Sequence, residues 1–322
     1  MAQTVDFRRM RFLITGVTGF VGPYLAGLLL TFGHDVYGLC RVLPKVKVPN
    51  MKYIIGDLTK IDATSSAILR GFNFDGVFHL AGLTHPPTSF KDPGAYFETN
   101  ALGTVNLCNV FAGTDTVFMQ CSTPEVYGLC PEVDIMEGFP MTPMNPYGVS
   151  KAAADLYILE RTGNGALHAF ITRAGSHTGA GRPACYSISS DAVQIARIKK
   201  GHQAPVIRVG NMSSQRAVID VRDVVLAYGQ LMELHINNES MNGGVYHISG
   251  HDVHSMDWYL NLMLDITKVK AEKVVDENLV RKIDIPIQIL NSDRTRSLIN
   301  WEPRVPIEDT LKGLLNYWME KI

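Results

Sequence analysis

Tyr147 and Lys151 stand four residues apart in the stretch Pro146-Tyr147-Gly148-Val149-Ser150-Lys151. A helix that starts here, with Asn145 as N-cap and Pro146 in the first turn, places both side chains on one face. An ammonium beside a phenol favours the phenolate and draws a group with an ordinary pKa near ~10 toward neutrality, where it serves as a base. Upstream, Ser122-Thr123-Pro124-Glu125 offers a hydroxyl and a carboxylate. A hydroxyl donor, an activated tyrosine and a nicotinamide are the parts needed to move hydride from an alcohol carbon. Thr123 would orient the substrate oxygen and Tyr147 would take its proton. The Tyr–Lys spacing alone is common on solvated helix faces, so this chemistry requires a cofactor site elsewhere in the chain.

The N-terminal half supplies one. Met10 to Thr15 is an apolar strand leading into Gly16-Val17-Thr18-Gly19-Phe20-Val21-Gly22, followed by an amphipathic helix from about Val21 to Phe32 and a strand from Asp35 to Cys40. Glycines three residues apart between a strand and a helix allow the turn, the approach of a phosphate and tight helix packing. The free N–H groups of the helix start hold a pyrophosphate. The second strand ends in Cys40-Arg41 where an NAD site usually carries an acidic residue. A guanidinium suits a 2'-phosphate, so NADP is expected over NAD, unless Arg41 is a solvated loop residue.

Tyr53 to Ile55 is strand-like, and Asp57, before Leu58, fits either an adenine contact or the N-cap of a turn. Gly76 to Leu80 is the fourth strand, with Ala81 and Gly82 small enough for a ribose to lie on the backbone, and His79 reads as a packed strand residue. Gly94 to Ala112 has helical periodicity and carries Asn100, either structural or bracing the site; Thr116 to Cys121 is the fifth strand. Alternation of this kind predicts an α/β fold with a doubly wound parallel sheet, whose ligand crevice lies at the carboxyl ends of the strands.

Composition bounds the partners. Across 322 residues, 30 basic and 31 acidic side chains nearly cancel, which points away from nucleic acid and anionic membranes. No apolar run reaches the ~20 residues of a membrane span, and no signal-peptide core precedes the first strand, so a cytoplasmic protein is expected. The five cysteines show no metal or redox spacing and are expected to be reduced and mostly buried; no metal is predicted.

The loop GVTGFVG, the strand end STPEVYG and the helix YGVSK together resemble the extended short-chain dehydrogenase/reductase family, in its nucleotide-sugar branch, over nearly the whole chain. Val206 to Val225 and Arg281 to Leu311 resemble the GDP-mannose 4,6-dehydratases and GDP-4-keto-6-deoxymannose reductases. The resemblance implies a Rossmann-type domain binding NADP through Gly16, Thr18, Gly19, Phe20, Val21, Gly22, Arg41, Asp57, Leu58, Leu80, Ala81, Gly82, Asn100, Tyr147 and Lys151. It implies a GDP-type sugar nucleotide held by Thr123, Ser176, His177, Asn211, Arg216 and Arg281. The arginines suit a diphosphate by bidentate geometry, although Arg216 and Arg281 fit ordinary surface positions as well. Dehydratases of this branch place a glutamate where Glu125 stands. The implied reaction is an internal redox cycle: oxidation at carbon 4, removal of the carbon 5 proton by Glu125, loss of water from carbon 6 and return of the hydride there. Reduction of a 4-keto sugar, or epimerisation, is the alternative within the branch, and a non-catalytic NADP-binding protein the alternative outside it.

Two positions depart from the pattern. Pro124 stands where many dehydratases carry an aspartic acid that protonates the leaving hydroxyl. The GDP-mannose type carries a serine there, which leaves Glu125 to serve as both base and acid. Ser176 and Ala180 stand where relatives usually carry an asparagine and a proline, and a shorter side chain at a substrate-contacting position leaves extra room or a water, which would permit a bulkier hexose or a heptose. The second half breaks strict alternation, with helices at Ser187 to Lys200, Asp220 to Leu234, Ser255 to Thr267 and Ile307 to Met319, and strands at Val206 to Val209 and Gly244 to Ser249. The expected division is a cofactor domain at 1–173 with returning segments near 217–250, and a smaller discontinuous substrate lobe at 174–216 and 251–322. The helices at 94–112 and 146–162 are expected to pair two subunits, as in relatives, in a homodimer or homotetramer, unless they are buried within one subunit.

Overall fold

The computed structural model describes residues 8–130, 134–280 and 283–322. Seven strands form one sheet: β1 (Arg11–Thr15), β2 (Asp35–Cys40), β3 (Lys52–Ile55), β4 (Gly76–His79), β5 (Val117–Ser122), β6 (Ala169–Ala174) and β7 (Val245–Ile248). Their order is β7-β6-β5-β4-β1-β2-β3, and every pairing is parallel. Parallel strands are covered on both faces, which is why β1, β4, β5 and β6 read as nearly continuous apolar runs. Phe12, Ile14, Phe78 and Phe170 pack on one side with Leu25 of the helix Val21–Thr31 and Tyr228 of the helix Val221–Asn237. Leu13, Val77, Phe118 and Ile171 pack on the other with Leu107 of Gly103–Phe111 and Ile158 of Pro146–Gly163. The strand order reverses between β1 and β4, so the crevice opens at their carboxyl ends.

A third core is assembled from separated segments of the second half of the chain. Ile195 of the helix Ser187–Lys199, Leu260 of Met256–Thr267 and Leu314 of Ile307–Lys321 pack together around Val209 of the strand Val206–Val209. That strand pairs with Glu272–Val275. Short strands too brief for a sequence signal add a further sheet: Gln215–Ala217 between Val253–Ser255 and Ile287–Gln288.

The helix expected at 94–112 contains a π-helical turn, Phe97–Leu102, between α-helical Pro93–Tyr96 and Gly103–Phe111. The wider turn turns Asn100 fully inward, where its Oδ1 accepts from Leu83 N (2.8 Å) and its Nδ2 donates to Leu83 O (3.0 Å) and Ser150 Oγ (2.9 Å). All five cysteines are free; Cys40 and Cys108 are buried, but Cys185 is exposed, so thiol burial is less complete than expected because Cys185 lies in a loop entering a helix. Among the described residues no helix is long and apolar enough to cross a membrane, and no cluster of metal-binding side chains occurs.

Buried histidines predict acid sensitivity. His79 lies between Thr15 Oγ1 (2.7 Å) and Thr104 Oγ1 (2.9 Å), and burial, reinforced by the Lys151 charge, pushes its pKa down to about 3. Burial likewise lowers His235 and His247 to about 3 and His177 to about 4. Unfolded histidine titrates near ~6.5, so below that pH the unfolded chain binds more protons. The contribution of each group is complete above ~6.5 and is lost as pH falls toward its folded value, at most about 1.4 kcal/mol per group per pH unit. Asp191, raised to about 7 by burial, and Asp155, also raised by burial, act with the opposite sign, but they are two groups against these four histidines together with His34 and His168, which burial also lowers. The denaturant midpoint is expected to be lower at pH 5 than at pH 7; an equal or higher midpoint at pH 5 contradicts this account.

Candidate active site

The helix Pro146–Gly163 starts as its residue types dictate: Asn145 Oδ1 accepts from Gly148 N (2.8 Å), and Pro146 occupies the first turn. Its buried face carries Tyr147, Ser150, Lys151 and Asp155. Opposite it, β5 ends in Thr123, whose Oγ1 accepts from Glu125 N (3.3 Å) and caps the short turn Pro124–Tyr127. Turn and helix touch closely at Gly148, where a Cβ would sit 2.7 Å from the Glu125 carbonyl oxygen.

Asn145 does two jobs. While its oxygen caps the helix, its Nδ2 donates to Glu125 Oε2 (2.8 Å) and fixes the carboxylate beside the tyrosine. An Asn145→Asp variant keeps an N-cap oxygen but sets a second carboxylate against Glu125. It is expected to retain stability within about 1 kcal/mol while losing activity, measured as melting temperature against turnover; equal losses in both would assign Asn145 to capping alone.

The protein groups alone reverse one expectation. Burial pushes the Tyr147 phenol up rather than toward neutrality, and the hydrogen bond from Thr123 is the influence that lowers it. Burial pulls the Lys151 ammonium down, opposed by Cys121 and Asp155. Both side chains lose hydration on folding, and that loss sets the direction of each shift. Beneath them Asp155 Oδ2 accepts from Ser122 Oγ (2.8 Å) and from Arg173 (3.0 Å), and Arg173 donates to the Tyr127 hydroxyl (2.6 Å), a buried network that fixes the β5 end against the helix.

A cavity of about 810 Å³ runs from this cluster to the edge of β2 and β3. The loop residues Gly16, Thr18, Gly19, Phe20, Val21 and Gly22 line its floor, with Leu80, Ala81 and Gly82 beside them. Gly16 has φ +69°, and a Cβ there would meet Ala81 N at 2.7 Å, so only glycine lets the loop close on the end of β4. The helix Val21–Thr31 has no side-chain cap, which leaves its first N–H groups facing the cavity without a side-chain partner. That cradle fits the pyrophosphate of a dinucleotide. Arg41, Asp57 and Leu58 line the far end. Asp57 Oδ1 accepts from Thr59 N (3.0 Å) and Thr59 Oγ1 (2.9 Å), so the N-cap alternative is the one observed. Asn100 and Lys151 do not line the cavity; Asn100 braces the loop after β4, and Lys151 is buried on the same helix as the tyrosine.

On the other wall stand Thr123, Glu125, Tyr147, Ser176, His177 and Arg216. His177 stacks on Phe20 with ring centroids 6.2 Å apart, and Gly175 O lies 2.9 Å from its Nδ1. Arg216 Nη2 donates to Ile285 O (2.8 Å) and lies 4.0 Å from Asp284. Asn211 is exposed, tied to Asp284 (2.6 Å), and outside the cavity. Arg281 falls outside the described residues. The sequence reading missed Thr84, Arg182, Tyr186 and Gln288, which also line the cavity. Arg182 and Tyr186 had a signal, a cation and an aromatic four residues apart just past the segment that carries Ser176 and His177; Gln288 arrives on a strand two residues long and had none.

Comparison with known proteins agrees with this geometry. The family model described as GDP-mannose 4,6 dehydratase matches residues 13–314. A GDP-6-deoxy-D-mannose reductase of Pseudomonas aeruginosa is 32% identical over 319 residues, covering 97% of this chain and 98% of that protein. A GDP-mannose 4,6-dehydratase of Vibrio cholerae is 35% identical over 160 residues, covering 44% of this chain and 43% of that protein. Among solved structures, RMD from Pseudomonas aeruginosa complexed with NADPH superposes with a TM-score of 0.83 at 30% identity, covering 97% of this chain and 100% of that one.

Proposed function

The chain belongs to the GDP-mannose 4,6-dehydratase family, within the nucleotide-sugar branch of the extended short-chain dehydrogenase/reductases, and we propose that it is a nucleotide-sugar 4,6-dehydratase using NADP. The observation that carries the reading is the Glu125 carboxylate, held by Asn145 on the cavity wall beside Thr123 and Tyr147. A redox enzyme that only oxidises or reduces carbon 4 has no need of a second acid–base group there.

The glycine loop and the uncapped helix start would hold the cofactor pyrophosphate, and Arg41, which forms no ion pair among the described residues, suits a 2'-phosphate. When bound, a nicotinamide supplies a reversible hydride acceptor and, as a cation, the charge that favours a phenolate. Thr123 donates to the carbon 4 oxygen while Tyr147 takes its proton, leaving a ketone that acidifies the carbon 5 proton. Glu125 removes that proton, and delivers it to the carbon 6 hydroxyl so that it departs as water. Pro124 has no proton to give, so a single carboxyl serves both steps. Carbon 6 then takes back the hydride that left carbon 4 and carbon 5 takes a proton from solvent, so the net change is loss of one water.

Incubation of the enzyme with GDP-mannose and catalytic NADP is expected to give a product lighter by one water, carrying solvent deuterium at carbon 5 in heavy water, with no NADPH consumed. A 4-keto-6-deoxy nucleotide-sugar reductase is the second reading, favoured by the full-length likeness to the Pseudomonas reductase. Stoichiometric NADPH oxidation by a 4-keto sugar nucleotide, with no water lost from GDP-mannose, would decide for it.

A further inference from the structure

Arg182 projects into the cavity from a braced turn. Its N–H donates to Gly179 O (3.1 Å) and its carbonyl accepts from Ser189 Oγ (2.6 Å). The guanidinium carbon stands 3.8 Å from the Tyr186 ring centroid and 5.1 Å from that of Phe20. Tyr186 is itself pinned, with its hydroxyl 2.7 Å from Thr84 Oγ1 across the cavity mouth. Among the described residues Arg182 forms no ion pair, and the groups whose fields reach it are Tyr186, Tyr147 and Cys185, none of them a carboxylate. Burial weighs against its charge.

An arginine stays protonated, and the two rings offset only part of the cost of drying it. A cation so placed, preorganised and without a carboxylate, is complete only with an anion delivered by a ligand. The cofactor pyrophosphate already has the N–H groups of the helix Val21–Thr31. Arg182 instead lies on the wall after β6, within electrostatic reach of Tyr147, where the reacting sugar must sit. We infer that Arg182 binds an anionic oxygen group of the sugar nucleotide beside Tyr147. Two parts of such a ligand present that chemistry, the diphosphate and a carboxylate on the sugar. The inference rests on the reading of this cavity as a nucleotide-sugar site.

The test is calorimetric titration of the NADP-saturated enzyme and its Arg182→Met and Arg182→Lys variants with GDP, GDP-mannose, UDP-glucose and UDP-glucuronic acid. Loss of a half-buried charge partner is expected to weaken Arg182→Met binding by at least ~30-fold, with Arg182→Lys intermediate because it keeps the charge without the fork. A loss shared by all four ligands assigns the diphosphate; a loss confined to UDP-glucuronic acid assigns the sugar carboxylate. Unchanged affinity for every ligand that the wild type binds, or a loss confined to NADP, overturns the inference. Should Arg182→Met not fold, Arg182→Lys decides by the same comparison. Wild type that binds these nucleotides but releases no water from GDP-mannose sinks the dehydratase reading and leaves Arg182 standing; wild type that binds none sinks both.

Discussion

A Tyr147→Phe variant is expected to keep its fold and lose about 10²- to 10⁴-fold in kcat, the usual contribution of a positioned general base. The ring stays, so the packing of Tyr147 against Tyr96, with centroids 6.2 Å apart, survives. What disappears is the hydroxyl that works with Thr123 at the end of β5. Both the dehydratase and the reductase reading need this hydroxyl for proton transfer at carbon 4, so the result tests the redox site and not the choice between them. Turnover within threefold of wild type, with the melting temperature unchanged, would remove Tyr147 from the chemistry.

Glu125→Gln separates the readings. The amide keeps the size of the carboxylate and has no proton to exchange at carbon 5, so elimination is expected to fall by about 10²- to 10⁴-fold. Oxidation at carbon 4 should remain, visible as NADPH absorbance appearing on the enzyme without release of water. The hydrogen bond from Asn145 Nδ2 survives if the Gln oxygen faces it, so stability should change little. Full water loss in this variant would overturn the role given to Glu125, while an enzyme that oxidises NADPH against a 4-keto sugar as fast as wild type would be a reductase.

Much of the architecture is written locally. The strand and glycine pattern from residue 10 to 40 specifies a βαβ unit because each step, apolar strand, glycine turn and amphipathic helix, is set by neighbours in the chain. Tyr147 and Lys151 share a helix face for the same reason, and Asn145 and Pro146 announce where that helix begins. Thr123 and Glu125 could be placed at the crevice because they follow a strand of a parallel sheet, and such strands deliver their carboxyl ends to one edge.

Tertiary structure decided what depends on desolvation and on distant partners. The pKa directions of Tyr147 and Lys151 follow from burial that no local pattern reveals, and they run against the local rule that an ammonium lowers a neighbouring phenol. The bond from Asn145 to Glu125 spans separate elements, as does the placement of Arg216 and Gln288 on strands of two or three residues, too short for any periodicity. Asn211, matched by motif, lies outside the cavity because Asp284 holds it elsewhere. Arg182 shows the difference plainly: the sequence sets it four residues before Tyr186, and only the folded chain brings the second ring, Phe20, beside it and leaves it without a carboxylate. Local sequence determines where a side chain starts, whereas its charge environment is the sum over everything that folding brings near it.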